Sequence, residues 1–212
     1  MSEKKAHRFY FRHLENDLEE LSQYLTQKQE ELLNGTWLNI DKEILSEYNK
    51  YNGPTTQLGS LYNIFNLDVP SIVNLKSAIR DAVKDACDYY ELDFEALDYM
   101  IHGWFNLDYK TEGDNGVNPV KNEVFMHDHM GGEGAPVFHG YYCVNAEPSI
   151  TYYKIDGKHL HENHNQNNKL IVSETGHPHG RDDWYEDKPR ITIAYDISPL
   201  ERDGKGEKWI KL

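Results

Sequence analysis

Arg190-Ile191-Thr192-Ile193-Ala194-Tyr195-Asp196 is the stretch on which the fold turns. Its β-branched and aromatic residues alternate with other types at period two, which predicts a strand over Arg190–Ile197. That period puts Arg190 and Thr192 on one face and Ile191 and Ile193 on the other. An arginine pointing inward from such a strand needs an anion beside it. A guanidinium binds a carboxylate through two parallel hydrogen bonds, and a neighbouring hydroxyl such as that of Thr192 can add a third. An acidic side chain of the same chain would serve as well as one end of a bound dicarboxylate.

Upstream of this strand, five more short segments read the same way: Tyr99–Leu107, Val124–His129, Gly140–Val144, Ile150–Ile155 and Lys169–Val172. They are rich in Tyr, Ile, Val and Trp and are punctuated by Gly, Asn, Asp and Pro. Between them, the polar run His159–Asn168 reads as a loop, either a solvated hairpin connection or an active-site lid, with His159, His161 and His164 as solvated side chains. Ahead of the strands lie two amphipathic patterns. Leu14, Leu18, Leu21, Leu25 and Leu32 recur at helical spacing within Arg12–Leu33, and Asn34-Gly35 supplies a stop. The second runs over Ser71–Tyr90 behind Pro70, with Ile72, Leu75, Ile79, Ala82, Val83 and Ala86 on one face. Asn52-Gly53-Pro54 marks a turn between them.

Helices first and many short strands after predict an α+β fold, a double-stranded β-helix (jelly-roll or cupin-like) core backed by N-terminal helices. The expected organisation is one domain: 1–97 mainly helical support, 98–198 the jelly-roll core and 199–212 a C-terminal tail. The leucine stripe from Leu14 to Leu32 could also support a homodimer.

The chain has 212 residues and a formal net charge of −14, from 22 basic and 36 acidic side chains. So acidic a surface repels phosphates, which argues against duplex nucleic acid as a partner. No apolar run is long enough to cross a membrane, and the first residues lack the apolar core of a signal peptide. A cytoplasmic protein is expected, in the host cytoplasm if the source is viral. Cys87 and Cys143 fall in unrelated segments and read as buried thiols rather than a disulfide.

The chemistry sits in the histidines. His127 and His129 flank Asp128, and on a strand the two imidazoles share a face while Asp128 points away. Neutral imidazoles are good ligands for iron. Gly131-Gly132-Glu133-Gly134 then breaks the strand. Further on, Gly176-His177-Pro178-His179-Gly180 places two more histidines where a rim would be, and either could complete a metal site.

Together these residues resemble the iron(II)- and 2-oxoglutarate-dependent oxygenases, and most of all the oxygenase group common in marine phages and bacteria. In that group a Trp-x-Asn strand precedes a His-x-His pair, a Gly-aromatic-Tyr strand follows, and a histidine precedes an arginine strand by eleven positions. The matching residues are Trp104-Phe105-Asn106, then His127 and His129, then His139-Gly140-Tyr141-Tyr142-Cys143-Val144, and last His179 with Arg190. The likeness spans roughly residues 100 to 198, and its eleven-residue offset selects His179 over His177.

The resemblance implies Fe(II) on His127, His129 and His179. It implies 2-oxoglutarate held by Arg190 and Thr192, with Asn106 and Tyr142 beside it. The implied reaction is oxidation, a hydroxylation above all, of a small molecule or a protein side chain. Tyr109, Tyr153 and His139 would line the pocket or its mouth. The chain departs from most of the superfamily in three respects: His129 stands where a carboxylate ligand is usual, which leaves Asp128, or only two firm protein ligands, as the alternatives and makes the metal more electrophilic; the spacer from the pair to Gly140 is longer; and Ser173-Glu174-Thr175-Gly176 stands where relatives approach the distal histidine with more apolar residues. Two other readings share the histidines or the barrel. One is a three-histidine cupin-type metalloprotein that does without 2-oxoglutarate, and the other is a jelly-roll protein without catalysis.

Overall fold

A computed structural model describes residues 6–37, 62–110, 126–129, 137–155, 157, 159–199 and 209–212. The order of elements is β1 (Phe9–His13), α1 (Leu18–Leu33), a 3-10 turn at Ile64–Asn66, α2 (Pro70–Tyr90), β2 (Met100–Asp108), β3 (Phe138–Asn145), β4 (Ile150–Ile155), β5 (His159–His164), β6 (Lys169–Glu174), β7 (His179–Arg181), β8 (Arg190–Ser198) and β9 (Ile210–Lys211). The strands form two antiparallel sheets. The larger has the order β1-β6-β3-β8-β2-β9 and the smaller the order β5-β4-β7. Sheet on sheet, with helices covering one outer face, is the jelly-roll arrangement of an α+β protein.

Both helices pack on the face of the large sheet away from the small one. The α1 helix starts where the Asp17 carboxylate accepts a hydrogen bond from the Glu20 amide at 3.0 Å, which satisfies one of the amides that an N-terminus leaves open. It ends at Asn34, and Gly35 takes the left-handed conformation (φ 69°). Leu21, Leu25 and Leu32 are buried against the sheet, with Leu14 and Leu18 partly so. Each such leucine contributes about 1.5–3 kcal/mol. The stripe is therefore part of this chain's own core. The α2 helix buries Ile72, Leu75, Ile79, Ala82, Val83, Ala86 and Cys87 on the same layer.

Strand pairing sorts β8 as the alternation requires. Ile191, Ile193, Tyr195 and Ile197 join the helix-side core, together with Phe105, Leu107, Phe138, Leu170 and Val172. The opposite face carries Arg190, Thr192, Ala194 and Asp196, which align with Asp108, Asn106, Trp104 and His102 of β2. On β3 the aligned residues are Cys143, Tyr141 and His139. That face looks onto the small sheet, and a second apolar cluster of Tyr141, Cys143, Ala146, Tyr153 and Ile171 fills the space between the sheets. Cys87 and Cys143 are both buried free thiols.

Three local expectations need correction. Arg12 and His13 belong to strand β1, not to a helix. His159–His164 is strand β5, paired with β4 along its whole length. It is the outer strand of the small sheet and exposed at five of its six residues, so it carries no apolar alternation. Of Val124–His129, only the last four residues are described, and there His127 makes a single bridge with His179. Residues 38–61, with Asn52-Gly53-Pro54, and the glycines 131, 132 and 134 lie outside the described residues.

Candidate metal centre

His127 and His179 come together through backbone pairing. The His127 amide donates to the His179 carbonyl at 2.9 Å, and the His179 amide donates back at 2.8 Å. Because β7 is also hydrogen-bonded to β4, opposite Tyr153, His179 is fixed in the small sheet. Ring centroids are 4.4 Å apart for His127 and His179, 5.5 Å for His127 and His129, and 5.1 Å for His129 and His179. One ligand atom from each of the three lies within 4.8 Å of the other two. Asp128 is exposed and stands outside this trio.

Two of the three rings have their orientation and tautomer set from behind. The Nδ1 atom of His179 lies 3.3 Å from the His177 carbonyl oxygen, which can only accept. The Nδ1 atom of His129 is hydrogen-bonded to the Asp196 carboxylate. Both Nδ1 atoms therefore carry the hydrogen, and both Nε2 lone pairs are left for a cation. Burial, then the neighbouring His127 and His129, pushes the His179 pKa down to about 3. The ring is neutral at physiological pH, as a ligand must be.

A fourth histidine closes the cluster. His139 is buried, with its ring 4.9 Å from His129 and 4.6 Å from His179. Its Nε2 atom has no hydrogen-bond partner among the described residues. Burial, then His179, His129 and His127, holds its pKa well below the ordinary value. Tyr153 stacks on His179 at 5.2 Å, and its buried hydroxyl is also without a partner among the described residues.

Arg190 is buried, as the alternation implies, and lies beyond these rings along β8. Its Nε donates to the Ser149 hydroxyl at 3.0 Å, and its Nη1 to Asp108 Oδ2 at 3.3 Å. Asp108 also pairs with Arg181 Nη2 at 2.9 Å. One carboxylate thus faces two guanidiniums. Asp182, whose carboxylate accepts from the Ile150 amide at 2.9 Å, stands close enough to feel both. Burial, followed by Arg181, lowers the pKa of Arg190.

Thr192 and Asn106 are opposite each other on the inward face, Thr192 buried and Asn106 half-buried. Tyr142 is not there. It faces the helices, where Asn16 Nδ2 donates to its hydroxyl at 3.0 Å and the hydroxyl donates to Asn168. The inward tyrosine of that pair is Tyr141, which donates to Asn165 at 2.8 Å. Tyr109 is exposed.

Asp196, Asp108 and Arg181 are absent from the sequence reading. The period that places Arg190 and Thr192 inward also places Asp196 inward, and an acid on that face was the available signal. Asp108 ends a strand and Arg181 follows His179 by two. Neither carries a mark in the sequence alone.

No family model matches the chain, and no curated protein sequence matches it. The structure is similar to a Pseudomonas putida prolyl-4-hydroxylase, with a TM-score of 0.50 and 10% identity over 91% of this chain and 88% of the other. Lower scores relate it to a 2OG-Fe(II) oxygenase family oxidoreductase from Burkholderia pseudomallei (TM-score 0.45, 12% identity, 89% and 93% covered). A third match is Neurospora crassa T7H in complex with alpha-KG (TM-score 0.46, 12% identity, 96% and 82% covered). The prolyl-4-hydroxylase match shows the fold: this chain has the jelly roll of that enzyme.

Proposed function

We propose that the chain is an Fe(II)- and 2-oxoglutarate-dependent oxygenase, with His127, His129 and His179 as the metal ligands. The observation that carries this reading is the convergence of three imidazoles at one end of the space between the sheets, two of them with Nδ1 tied to an acceptor. An all-nitrogen donor set suits a divalent first-row ion and leaves positions for other ligands. Fe(II) with 2-oxoglutarate would activate dioxygen, the oxidant, one oxygen atom going into a substrate C–H bond and the other into the succinate left when the keto acid loses carbon dioxide. The narrower likeness, to the oxygenases of marine phages and bacteria, belongs to the same proposal and rests on the residues from Trp104 to Arg190.

The chain's own residues have definable work. Asp196 holds His129 and returns to the centre the negative charge that a ligating carboxylate would carry. His177 holds His179 through its carbonyl. Arg190, with Arg181 beside it, is the anion receptor for the far carboxylate of the cosubstrate, and Thr192 and Asn106 are the polar groups next to it. The buried Tyr153 hydroxyl can donate to an oxygen placed between the two ends. Tyr141, Cys143 and Ile171 make the wall apolar, which keeps water out and strengthens the polar contacts inside.

The test is an anaerobic titration of the metal-free chain with Fe(II) and then 2-oxoglutarate. Wild type should develop the weak visible charge-transfer band of a chelated keto acid. His129→Ala should lose it, and Arg190→Ala should need at least tenfold more 2-oxoglutarate. A chain that binds Fe(II) tightly yet gives no band at any 2-oxoglutarate concentration is instead a three-histidine metalloprotein. The Arg190–Asp108 pair is the observation that favours that second reading, because Asp108 already gives Arg190 an anion.

A further inference from the structure

Asp108 stands where a carboxylate bound to Arg190 would have to go. It ends β2, directly across from Arg190 on β8, and is buried beside it. Its own carboxylate lies between two guanidiniums and is tied closely to neither. Oδ2 accepts from Arg190 Nη1 at 3.3 Å, longer than the roughly 2.7–2.9 Å of a charge-assisted hydrogen bond. Oδ1 is 2.9 Å from Arg181 Nη2, an ion pair without a directed hydrogen bond. Asp182 is a second acid that feels both guanidiniums. Two acids thus face two guanidiniums before any ligand enters, and one more carboxylate tips the cluster to net negative.

The rest of the Arg190 fork is built for an exchange of partners. Its Nε donates to Ser149 Oγ at 3.0 Å. Ser149 is itself pinned, since its hydroxyl donates to the Ala146 carbonyl at 2.5 Å and its oxygen accepts from Asn165 Nδ2 at 3.0 Å. That side of the guanidinium stays in place when Asp108 leaves. Nη2 has no hydrogen-bond partner among the described residues, although the Arg190 side chain is only 6% exposed. A buried guanidinium with an unused N–H lacks an acceptor. A carboxylate laid across Nη1 and Nη2 makes two parallel bonds where Asp108 makes one long one. Arg181 is better placed to receive than to move: its Nη1 donates to the Asp182 carbonyl at 2.7 Å, and its strand is paired with β4.

We propose that Asp108 is an internal counter-ion that competes with the far carboxylate of the cosubstrate for Arg190, and that Arg181 takes Asp108 up when the cosubstrate binds. The inference rests on the assignment of Arg190 as the anion receptor. Asp108 then has two effects. It keeps Arg190 paired in the free protein, where a lone buried charge is strongly destabilising. It also sets the affinity for the dicarboxylate, because binding must first break an ion pair. A neutral side chain in its place gives a less stable free chain and a tighter complex. That combination separates competition from a merely structural role, in which stability and binding fall together.

The experiment measures 2-oxoglutarate binding by calorimetry on the Mn(II)-loaded full chain. Glutarate on the metal-free chain reads the arginine end alone, since it keeps the far carboxylate and has no keto acid to chelate a metal. Asp108→Asn should bind both dicarboxylates about tenfold more tightly than wild type, the low end of the coupling between close charge pairs. Its unfolding temperature without ligand should be lower. Equal or weaker binding by a folded Asp108→Asn overturns the competition, and leaves Arg190 as the receptor if wild type binds. Arg181→Gln tests the same claim without touching the buried acid. It should weaken binding of both dicarboxylates, and unchanged affinity overturns the uptake by Arg181. In an Asp108→Asn background that weakening should shrink, whereas an equal loss means that Arg181 acts on the ligand directly and overturns the uptake as well. If no variant binds either dicarboxylate, the inference falls together with Arg190 as the receptor. If glutarate follows the expected order and 2-oxoglutarate gains nothing from Mn(II), the inference stands and the three-histidine centre falls.

Discussion

Asp196 accepts the Nδ1 hydrogen of His129, and its charge reaches the metal position through the ring. Replacing it with Asn keeps the shape and removes the charge. Loss of such a partner behind a ligand costs ~10- to 100-fold in metal affinity. Asp196→Asn should show that loss by equilibrium dialysis with Mn(II), with the unfolding temperature little changed. Unaltered affinity would mean that Asp196 plays no part in the centre. Tyr153 offers a test with two readouts. Its buried hydroxyl has no partner among the described residues, which carries a cost of about 1–3 kcal/mol. Tyr153→Phe should therefore raise the unfolding temperature of the free protein by ~2–12 °C while weakening 2-oxoglutarate binding. A lower unfolding temperature would show that the hydroxyl is already satisfied. At this scale the sequence discloses chemistry wherever a polar residue interrupts an apolar alternation, as Arg190 and Thr192 do. It fails for Tyr141 and Tyr142, because β3 is buried on both faces and two adjacent tyrosines say nothing about which one looks inward.

Among the elements, β3 is held most tightly. A Cβ added at Gly140 would lie 2.0 Å from the Ile171 carbonyl oxygen and 2.6 Å from the Tyr195 hydroxyl. The first of these is backbone in a paired strand and cannot yield. Gly140→Ala should cost about 3 kcal/mol, near the upper end of overpacking penalties. It should lower the unfolding temperature by ~6–12 °C. At Gly103 the nearest atoms belong to the Phe65 ring, which can turn, so the same change there should cost clearly less. Equal losses would mean that the two strands yield alike. The C-cap of α2 offers the opposite sign. Glu91 sits at φ 59° and ψ 35°, a left-handed conformation that suits glycine. Glu91→Gly should stabilise by about 0.5–1 kcal/mol, read as a small rise in the same melt. Elements with an apolar face on a core are the ones that periodicity exposes, such as α2, β4 and β8. The β5 strand is an exposed outer strand and β7 has only three residues. Neither leaves a pattern, since each is defined by the strand it pairs with.

Across the whole molecule, what periodicity cannot supply is the choice of partner. Strand β8 lies between β3 and β2, and β6 between β1 and β3, pairings set by long-range packing rather than by any local signal. The candidate metal centre depends on that topology, since its three histidines meet only once both sheets have formed. His179 belongs to the small sheet and His129 is tied to Asp196 of the large one. A cation bound there links the two sheets and is held by the folded chain alone. At 100 times its dissociation constant such a ligand adds about 2.7 kcal/mol, or ~5–11 °C for a domain of this size. Anaerobic Mn(II) should raise the unfolding temperature by that amount over a chelator-treated sample, and His129→Ala should abolish the rise. A rise that survives His129→Ala would place the stabilising ion elsewhere. No rise in either protein would mean that the two sheets are held by apolar packing around Tyr141, Tyr153 and Ile171 without help from a metal.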